Sequence, residues 1–154
     1  MTQRPTPCPD TDFDAPLARL ILDSHRRVLG RDLLPAGDPR ALYHADRIVL
    51  AHDGAADPVL TYGNLAAQRL WEMGWDQLTA MPSRLTAEPG ARAQRDQMFQ
   101  RMRTQGYVDD YHGVRISATG RRFEIIDAVI WPLLDAQGVK QGEAAWFDRY
   151  RRLD

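Results

Sequence analysis

The sequence predicts an α+β fold in which an antiparallel sheet packs against helices. Strand-like runs occur over 47–62, helix-like runs over 65–105, and three further strand-like runs over 107–147. Strands followed by helices and then by strands indicate helices segregated to one face of a sheet, rather than alternating parallel units. With 154 residues, the chain has the length of one domain.

The N-terminal part predicts a tail followed by one amphipathic helix. Residues 1–12 are rich in Thr, Pro and Asp with little to bury, so we expect a disordered tail. Over 13–29, apolar side chains recur at helical spacing with charged side chains between them, which indicates an amphipathic helix that ends at Gly30. We assign 13–46 to this helix and a connector, in which 40–46 forms a short helical turn.

The main domain is predicted to occupy 47–154 and to open with a hairpin. Residues 47–52 are β-like, Asp53 and Gly54 supply a turn signal, and 58–62 forms the returning strand. This hairpin provides the first two strands of the sheet.

Two helices are predicted after the hairpin. Asn64 can cap a helix over 65–73. Glu88 and Pro89 begin a second helix, which ends at Gly106. The apolar residues that mark the buried side of the second helix are Met98, Phe99 and Met102. We expect both helices to cover one face of the sheet.

Three strands are predicted to complete the sheet, over 107–118, 122–134 and 143–147. The first alternates, so that Tyr111 and Arg115 share one face and His112 lies on the other. Parity alone leaves open which of these faces lines the interior.

The strand 122–134 is apolar on both faces. By parity one face carries Phe123, Ile125, Val129 and Trp131, and the other carries Ile126, Ala128 and Ile130. A strand that is apolar on both faces is covered on both faces. The central helices provide one cover, and the helix over 13–29, from this chain or from a partner, is the candidate for the other.

Composition argues against several classes of partner. A formal net charge of -1 gives no overall attraction to nucleic-acid phosphates, and no apolar run reaches the roughly 20 residues of a membrane span. Cys8 is the one cysteine, so the chain has no disulfide framework and no thiolate metal cluster. We expect a cytoplasmic protein that binds neither nucleic acid nor membrane.

Short motifs in the region 58–147 carry a resemblance to a known family. They are Tyr62-Gly63-Asn64, Ala66-Ala67, the run from Pro82 to Glu88, Arg95, Tyr111, Gly113, Arg115, Gly120, Arg122-Phe123, Gly142 and Ala144-Ala145. This region resembles the PAS fold, a five-stranded antiparallel sheet with helices over one face. It is most similar to the PAS-like MEKHLA family of small bacterial proteins and some plant transcription factors. The resemblance implies a bacterial sensory or regulatory domain that binds a small molecule between sheet and helices.

Arg84 is the first candidate for ligand binding. In flavin-binding PAS domains, a segment that resembles 82–86 carries a reactive cysteine and then an arginine that holds the flavin phosphate. Here Ser83 precedes Arg84 and no cysteine follows Cys8, so thiol adduct formation is excluded. An arginine fork can still bind a phosphate or carboxylate, whereas the structural alternative is a pair with Glu88. Haem is also not predicted, because the segment 90–105 contains no histidine.

The later strands supply the remaining candidates. Tyr111 and Arg115 suit an anionic ligand if their face turns inward; otherwise His112 is the buried polar group. Asp127 interrupts an apolar face, so it either contacts the ligand or forms an ion pair with Arg115 or Arg122. The complete predicted set of ligand-binding residues is Trp71, Arg84, Tyr111, Arg115, Phe123, Asp127 and Trp131.

Three functions are compatible with these features. The first is a sensory domain for an unidentified small molecule that signals through protein contacts. The second is a ligand-free interaction module, with a homodimer formed through 13–29 and the sheet. The third is a small cone-shaped hydratase- or isomerase-type enzyme with Asp127 and either Tyr111 or His112 as acid and base. No catalytic motif supports the third function, and the sequence predicts neither a particular cofactor nor a metal.

Overall fold

The computed structural model describes residues 5–35, 37–86 and 92–153. An antiparallel sheet with the strand order β2-β1-β5-β4-β3 forms the centre, so the predicted five-stranded α+β architecture is confirmed. A short sixth strand continues from β5 and pairs with β4. The strands are β1 (Ile48–Asp53), β2 (Leu60–Gly63), β3 (Val108–Ile116), β4 (Arg122–Leu134), β5 (Lys140–Phe147) and β6 (Arg149–Arg152).

Within the described ranges, five α-helices accompany the sheet. They are α1 (Ala15–Leu29), α2 (Pro39–His44), α3 (Leu65–Trp71), α4 (Trp75–Leu78) and α5 (Arg92–Gln105). The helix predicted over 65–73 ends early, because Glu72 adopts a left-handed conformation and a separate turn, α4, follows. The predicted start of α5 at Glu88 and Pro89 lies outside the described residues. Within the predicted tail, Pro9–Thr11 forms one 3-10 turn.

The sheet separates two hydrophobic cores. The core on the face covered by α3 and α5 includes Ile48, Leu60, Leu70, Trp71, Met98, Met102, Val108, Tyr111, Phe123, Ile125, Ile130 and Phe147. The core on the opposite face includes Phe13, Ile21, Leu22, Leu42, Tyr43, Val49, Tyr62, Trp75, Val129, Trp131 and Leu133. Burial of the sheet on both faces agrees with the sequence prediction.

Helix α1 of the same chain provides the second cover. Trp131 of β4 is fully buried beneath it, and the indole nitrogen of Trp131 donates to the carbonyl oxygen of Ile21 at 3.3 Å. Ser24 accepts a hydrogen bond from the amide of Leu134 at 2.8 Å. These contacts place the apolar face of α1 directly on β4.

Two β-bulges change which side chains face each core. Between Val108 and Tyr111, β3 contains one more residue than the facing segment of β4, and β4 contains one extra residue near Asp127. Each bulge moves the following side chains to the other face. Phe123 and Ile125 therefore do not share a face with Val129 and Trp131, so the predicted parity of β4 is wrong.

His25 of α1 is buried in the second core as a neutral imidazole. Its Nδ1 lies 2.9 Å from the carbonyl oxygen of Arg31, and its Nε2 accepts a hydrogen bond from the Trp146 indole at 3.1 Å. Burial lowers the pKa of His25 below its ordinary value of 6.5. Protonation would remove the acceptor that Trp146 uses.

We expect the free energy of unfolding to decrease as the pH falls below about 6.5, because the unfolded chain binds the His25 proton more readily than the folded chain. Above that pH, both states are neutral at this position and the contribution vanishes. Urea denaturation between pH 7.5 and 5.5 measures the slope. The slope should be shallower in His25→Gln, and His44→Gln, at an exposed position, is the matched control. Equal slopes in wild type and His25→Gln would contradict the assignment.

Candidate functional site

A cavity of about 70 Å³ lies between the sheet and the helices that cover its first face. The inner faces of the strands, helix α5 and the 3-10 turn Ser83–Thr86 contribute its walls. Most of the wall is apolar: Leu50, Leu60, Trp71, Met98, Phe99, Ile125, Ile130, Ala145 and Phe147. A concave, largely apolar site with a few polar groups is the usual form of a small-molecule site.

Arg115 and Tyr111 of β3 supply polar groups to the cavity wall. Arg115 is 7% exposed; its Nη2 donates to the Tyr111 hydroxyl oxygen at 3.1 Å and its Nη1 donates to the Val114 carbonyl at 2.9 Å. Among the described residues, no carboxylate pairs with Arg115. A buried charge without a counter-charge is costly, which distinguishes this arginine from the exposed ones.

Gly113 allows Tyr111 to reach Arg115. A Cβ atom at position 113 would lie 2.3 Å from the Tyr111 hydroxyl oxygen, so the tyrosine ring lies flat over the glycine. The guanidinium carbon of Arg115 lies 5.3 Å from the centre of the same ring. The alternation Tyr111, Gly113, Arg115 on one strand face therefore builds the polar end of the cavity.

Two further polar atoms in the cavity wall are buried without a hydrogen-bond partner in the described part of the chain. They are Nε1 of Trp71 and Oε2 of Glu143. The other carboxylate oxygen of Glu143 lies 3.3 Å from the Lys140 ammonium. Buried donors and acceptors are normally paired, so both atoms are available to a ligand.

The structure brings together four of the seven predicted ligand-binding residues. Trp71, Tyr111 and Arg115 line the cavity. Phe123 lies behind Trp71, with 5.1 Å between the ring centres, and so supports the wall without lining it. Parity left open which face of β3 lines the interior. It is the face with Tyr111 and Arg115, whereas His112 is exposed.

Arg84 does not reach the cavity, so its predicted place in the ligand site is not supported. In the 3-10 turn, residues three apart share a face; Ser83 and Thr86 point inward and Arg84 points to solvent. Arg84 pairs with Asp57 at 3.1 Å. Its predicted alternative partner, Glu88, lies outside the described residues.

Asp127 and Trp131 also lie away from the cavity. Asp127 occupies the bulge of β4 with φ 52°, is 45% exposed, and bonds to Arg149 and to His112. The prediction that Asp127 forms an ion pair with Arg115 or Arg122 is therefore wrong. Trp131 faces α1 on the other side of the sheet. Neither acid–base pair of the enzyme hypothesis faces the cavity with both members: Tyr111 lines the cavity, but the side chains of Asp127 and His112 are exposed to solvent.

The polar cavity residues that were not predicted are His52, Ser83, Thr86 and Glu143. His52 and Glu143 are direct cross-strand partners on β1 and β5, which sequence periodicity cannot reveal without the strand order. The three-residue spacing of Ser83 and Thr86 was visible, but only a 3-10 turn places both on one face.

The family model of the MEKHLA domain matches residues 15–152. The chain belongs to the MEKHLA domain family. The match extends well beyond the segment 58–147 that carried the resemblance, and it includes all of α1 and the strands up to β6. A search of curated proteins finds no significant match.

Solved structures similar to this MEKHLA domain are PAS and light-oxygen-voltage domains. The PAS domain of a Colwellia psychrerythraea protein superposes with a TM-score of 0.63 at 13% identity, covering 74% of this chain and 92% of that chain. The light-state dimer of the fungal blue-light photoreceptor Vivid gives a TM-score of 0.61 at 14% identity, covering 84% and 90%. At these identities the likeness shows the fold. Within the described ranges, no helix of the MEKHLA domain is both long and apolar enough to cross a membrane.

Proposed function

We propose that this MEKHLA domain is a sensory domain that binds a small molecule between the sheet and the helices and signals through protein contacts. The observation that carries the proposal is the buried Arg115 in the wall of a largely apolar cavity, where none of the carboxylates that the structure describes pairs with it. A purely structural core has no reason to keep a charged group in this position, because a hydrophobic side chain of similar volume would be as stable or more stable.

Strand β4 supplies a route from the cavity to the outer surface. Ile130 lines the cavity, and its neighbour Trp131 packs under α1. A ligand that shifts Ile130 therefore also changes the packing of Trp131 against Ile21. Occupancy of the cavity biases α1 between two arrangements, as a population shift.

The outward face of α1 is the surface on which a partner would detect this change. It is polar and exposed, with Arg19, Asp23, Arg26 and Arg27. Because α1 already covers the apolar sheet face, a homodimer would form through this outer face of α1 and not by direct contact of the sheet with a second copy. Protein contacts at this face are therefore part of the proposal.

We expect small metabolites to stabilise the wild-type domain and not a cavity-filled variant. The probe is the small-molecule ultrafiltrate of a bacterial lysate, and the measurements are the thermal midpoint Tm and amide exchange in α1. Ligand that binds only the folded state raises Tm. Ala145→Leu places a larger side chain in the cavity, whereas the control Ala136→Leu adds the same atoms at an exposed position.

The expected result is a rise in Tm and slower exchange in α1 for wild type and Ala136→Leu alone. An equal Tm shift in Ala145→Leu would place the binding elsewhere and contradict the proposal. Absence of any shift would favour the interaction module with a filled interior.

A further inference from the structure

We infer that the ligand of this cavity is a short-chain carboxylic acid, bound as its anion by Arg115 and Tyr111. The inference rests on the proposed function, because it names the ligand class of the same site. It follows from three properties of the cavity: its charge, the balance of hydrogen-bond donors and acceptors, and its size.

The charge at the β3 end of the cavity favours an anion. The carboxylate in the described wall, Glu143, pairs with Lys140 and lies beside Pro132 towards the other end of β4, whereas Arg115 lies beside Phe123. Arg115 stays protonated in proteins, and its guanidinium is buried with only a carbonyl oxygen and a phenol oxygen as partners in the described part of the chain. Neither partner is a carboxylate. An anionic ligand supplies the missing counter-charge, and a carboxylate matches the planar fork of the guanidinium with two parallel hydrogen bonds.

Unused donors gather at the end of the cavity formed by β3. A guanidinium has five N–H donors, and two bonds from Arg115 are accounted for. The Tyr111 oxygen accepts one of them, which leaves its own O–H proton free to point to a ligand. Trp71 adds a buried N–H without a partner among residues 5–35, 37–86 and 92–153. Such a set of donors requires a ligand group that only accepts, as an ionised carboxylate does.

The size and lining of the cavity restrict the rest of the ligand. A cavity of roughly 150 Å³ holds the six carbons of benzene, so by proportion the 70 Å³ here accommodates about three non-hydrogen atoms. Leu50, Ile125 and Ile130 give the remaining wall an apolar surface, which favours a hydrocarbon chain over a fully hydrated ion such as inorganic phosphate. Met98 is unbranched and flexible, so a ligand longer by one or two carbons can also be accommodated.

The test compares propionate with propionamide, which has the same shape but no charge. Binding is followed by the chemical shifts of backbone amides in β3 and by Tm at constant ionic strength. The ligand concentration in the titration reaches the order of tens of millimolar, because a ligand with few atoms binds weakly. We expect saturable binding of propionate, at least about tenfold weaker binding of propionamide, and no saturation by inorganic phosphate.

Variants assign the interaction to individual side chains. Arg115→Met removes the charge and keeps apolar volume, so it should fold normally and bind propionate about tenfold to a hundredfold more weakly. Tyr111→Phe should weaken binding about threefold to tenfold. Arg84→Gln removes an exposed arginine that pairs with Asp57 and should bind as wild type does.

The outcomes separate this inference from the proposed function. Equal binding of propionamide, full binding by Arg115→Met, or binding of phosphate in place of propionate overturns the carboxylate assignment. If the lysate ultrafiltrate still stabilises wild type and not Ala145→Leu, the cavity remains a ligand site for a different chemical class. If neither propionate nor the ultrafiltrate has an effect that depends on the cavity, both the inference and the proposed function are wrong.

Discussion

Replacing Asn64 with alanine is expected to lower the free energy of unfolding by about 3–5 kcal/mol. Asn64 is completely buried between α2, β1 and α3. Its side-chain oxygen accepts from the amides of Val49 and Ala67, both at 3.1 Å. Its side-chain nitrogen donates to the carbonyl oxygens of Leu42 at 3.1 Å and Arg47 at 2.7 Å. The alanine variant leaves all four backbone groups buried without this partner.

Urea denaturation of wild type, Asn64→Ala and Asn64→Asp measures the effect. The aspartate keeps both accepted bonds, including the cap of α3, and loses both donated bonds. The loss of stability in Asn64→Asp relative to wild type therefore reports the link to Leu42 and Arg47, including the repulsion between the new carboxylate and their carbonyl oxygens. The difference between the two variants reports the bonds accepted from Val49 and Ala67. If Asn64→Ala costs only the roughly 1 kcal/mol typical of a lost helix cap, the buried network is not important for stability.

Replacing Trp131 with alanine is expected to cost about 3–5 kcal/mol and to release α1 from the sheet. Trp131 is fully buried, His25 of α1 packs edge-on against its ring at 4.8 Å, and its indole nitrogen donates to Ile21. Removal of the ring leaves a cavity at the centre of the contact between α1 and β4. Chemical denaturation gives the loss of stability, and hydrogen exchange shows where it occurs.

Hydrogen exchange should speed up across α1 more than across β1 or β5, because the lost contacts join α1 to β4. Trp131→Phe keeps most of the apolar volume and loses the hydrogen bond to Ile21, so its effect should be about 1–2 kcal/mol. Unchanged exchange of α1 in Trp131→Ala would show that other contacts of α1 hold the helix. In that case the proposed route from the cavity through β4 would lose its support.

The arrangement of helices and strands could largely be predicted from the sequence. Local patterns determine it: the spacing of apolar residues in α1, the capping position of Asn64 and the strand length of 122–134. The burial of 122–134 on both faces also followed from its composition, since a strand with apolar side chains on both faces needs two covers. These features depend on residues close together in the chain.

The candidate site was predicted only in part because it depends on bulges and strand order. One extra residue near Asp127 reverses the faces of β4, and a second in β3 places Tyr111 on the same face as Val108. Aspartate tolerates the left-handed conformation, but the sequence around Asp127 does not show that it is used there. Without this reversal, Trp131 was placed with the ligand site.

The two arginine candidates illustrate the same limit. Arg84 and Arg115 are equivalent as sequence signals, since each lies in a motif shared with the family. Only the three-dimensional structure shows that Arg84 is exposed beside Asp57 and that Arg115 is buried over Tyr111. The two arginines differ in burial, and the burial of a single side chain is not encoded in the motif that contains it.

The position of α1 on β4 has a consequence for the way the protein is made. Ile21 and its hydrogen-bond partner Trp131 are 110 residues apart in the chain. At about 5–20 residues per second, the ribosome needs roughly 6–20 s between the synthesis of the helix and that of the strand that buries it. A helix of 15 residues is marginal in water on its own. The apolar side of α1 can therefore be buried only after β4 has been synthesised, and until then it is exposed to chaperones, which bind such surfaces.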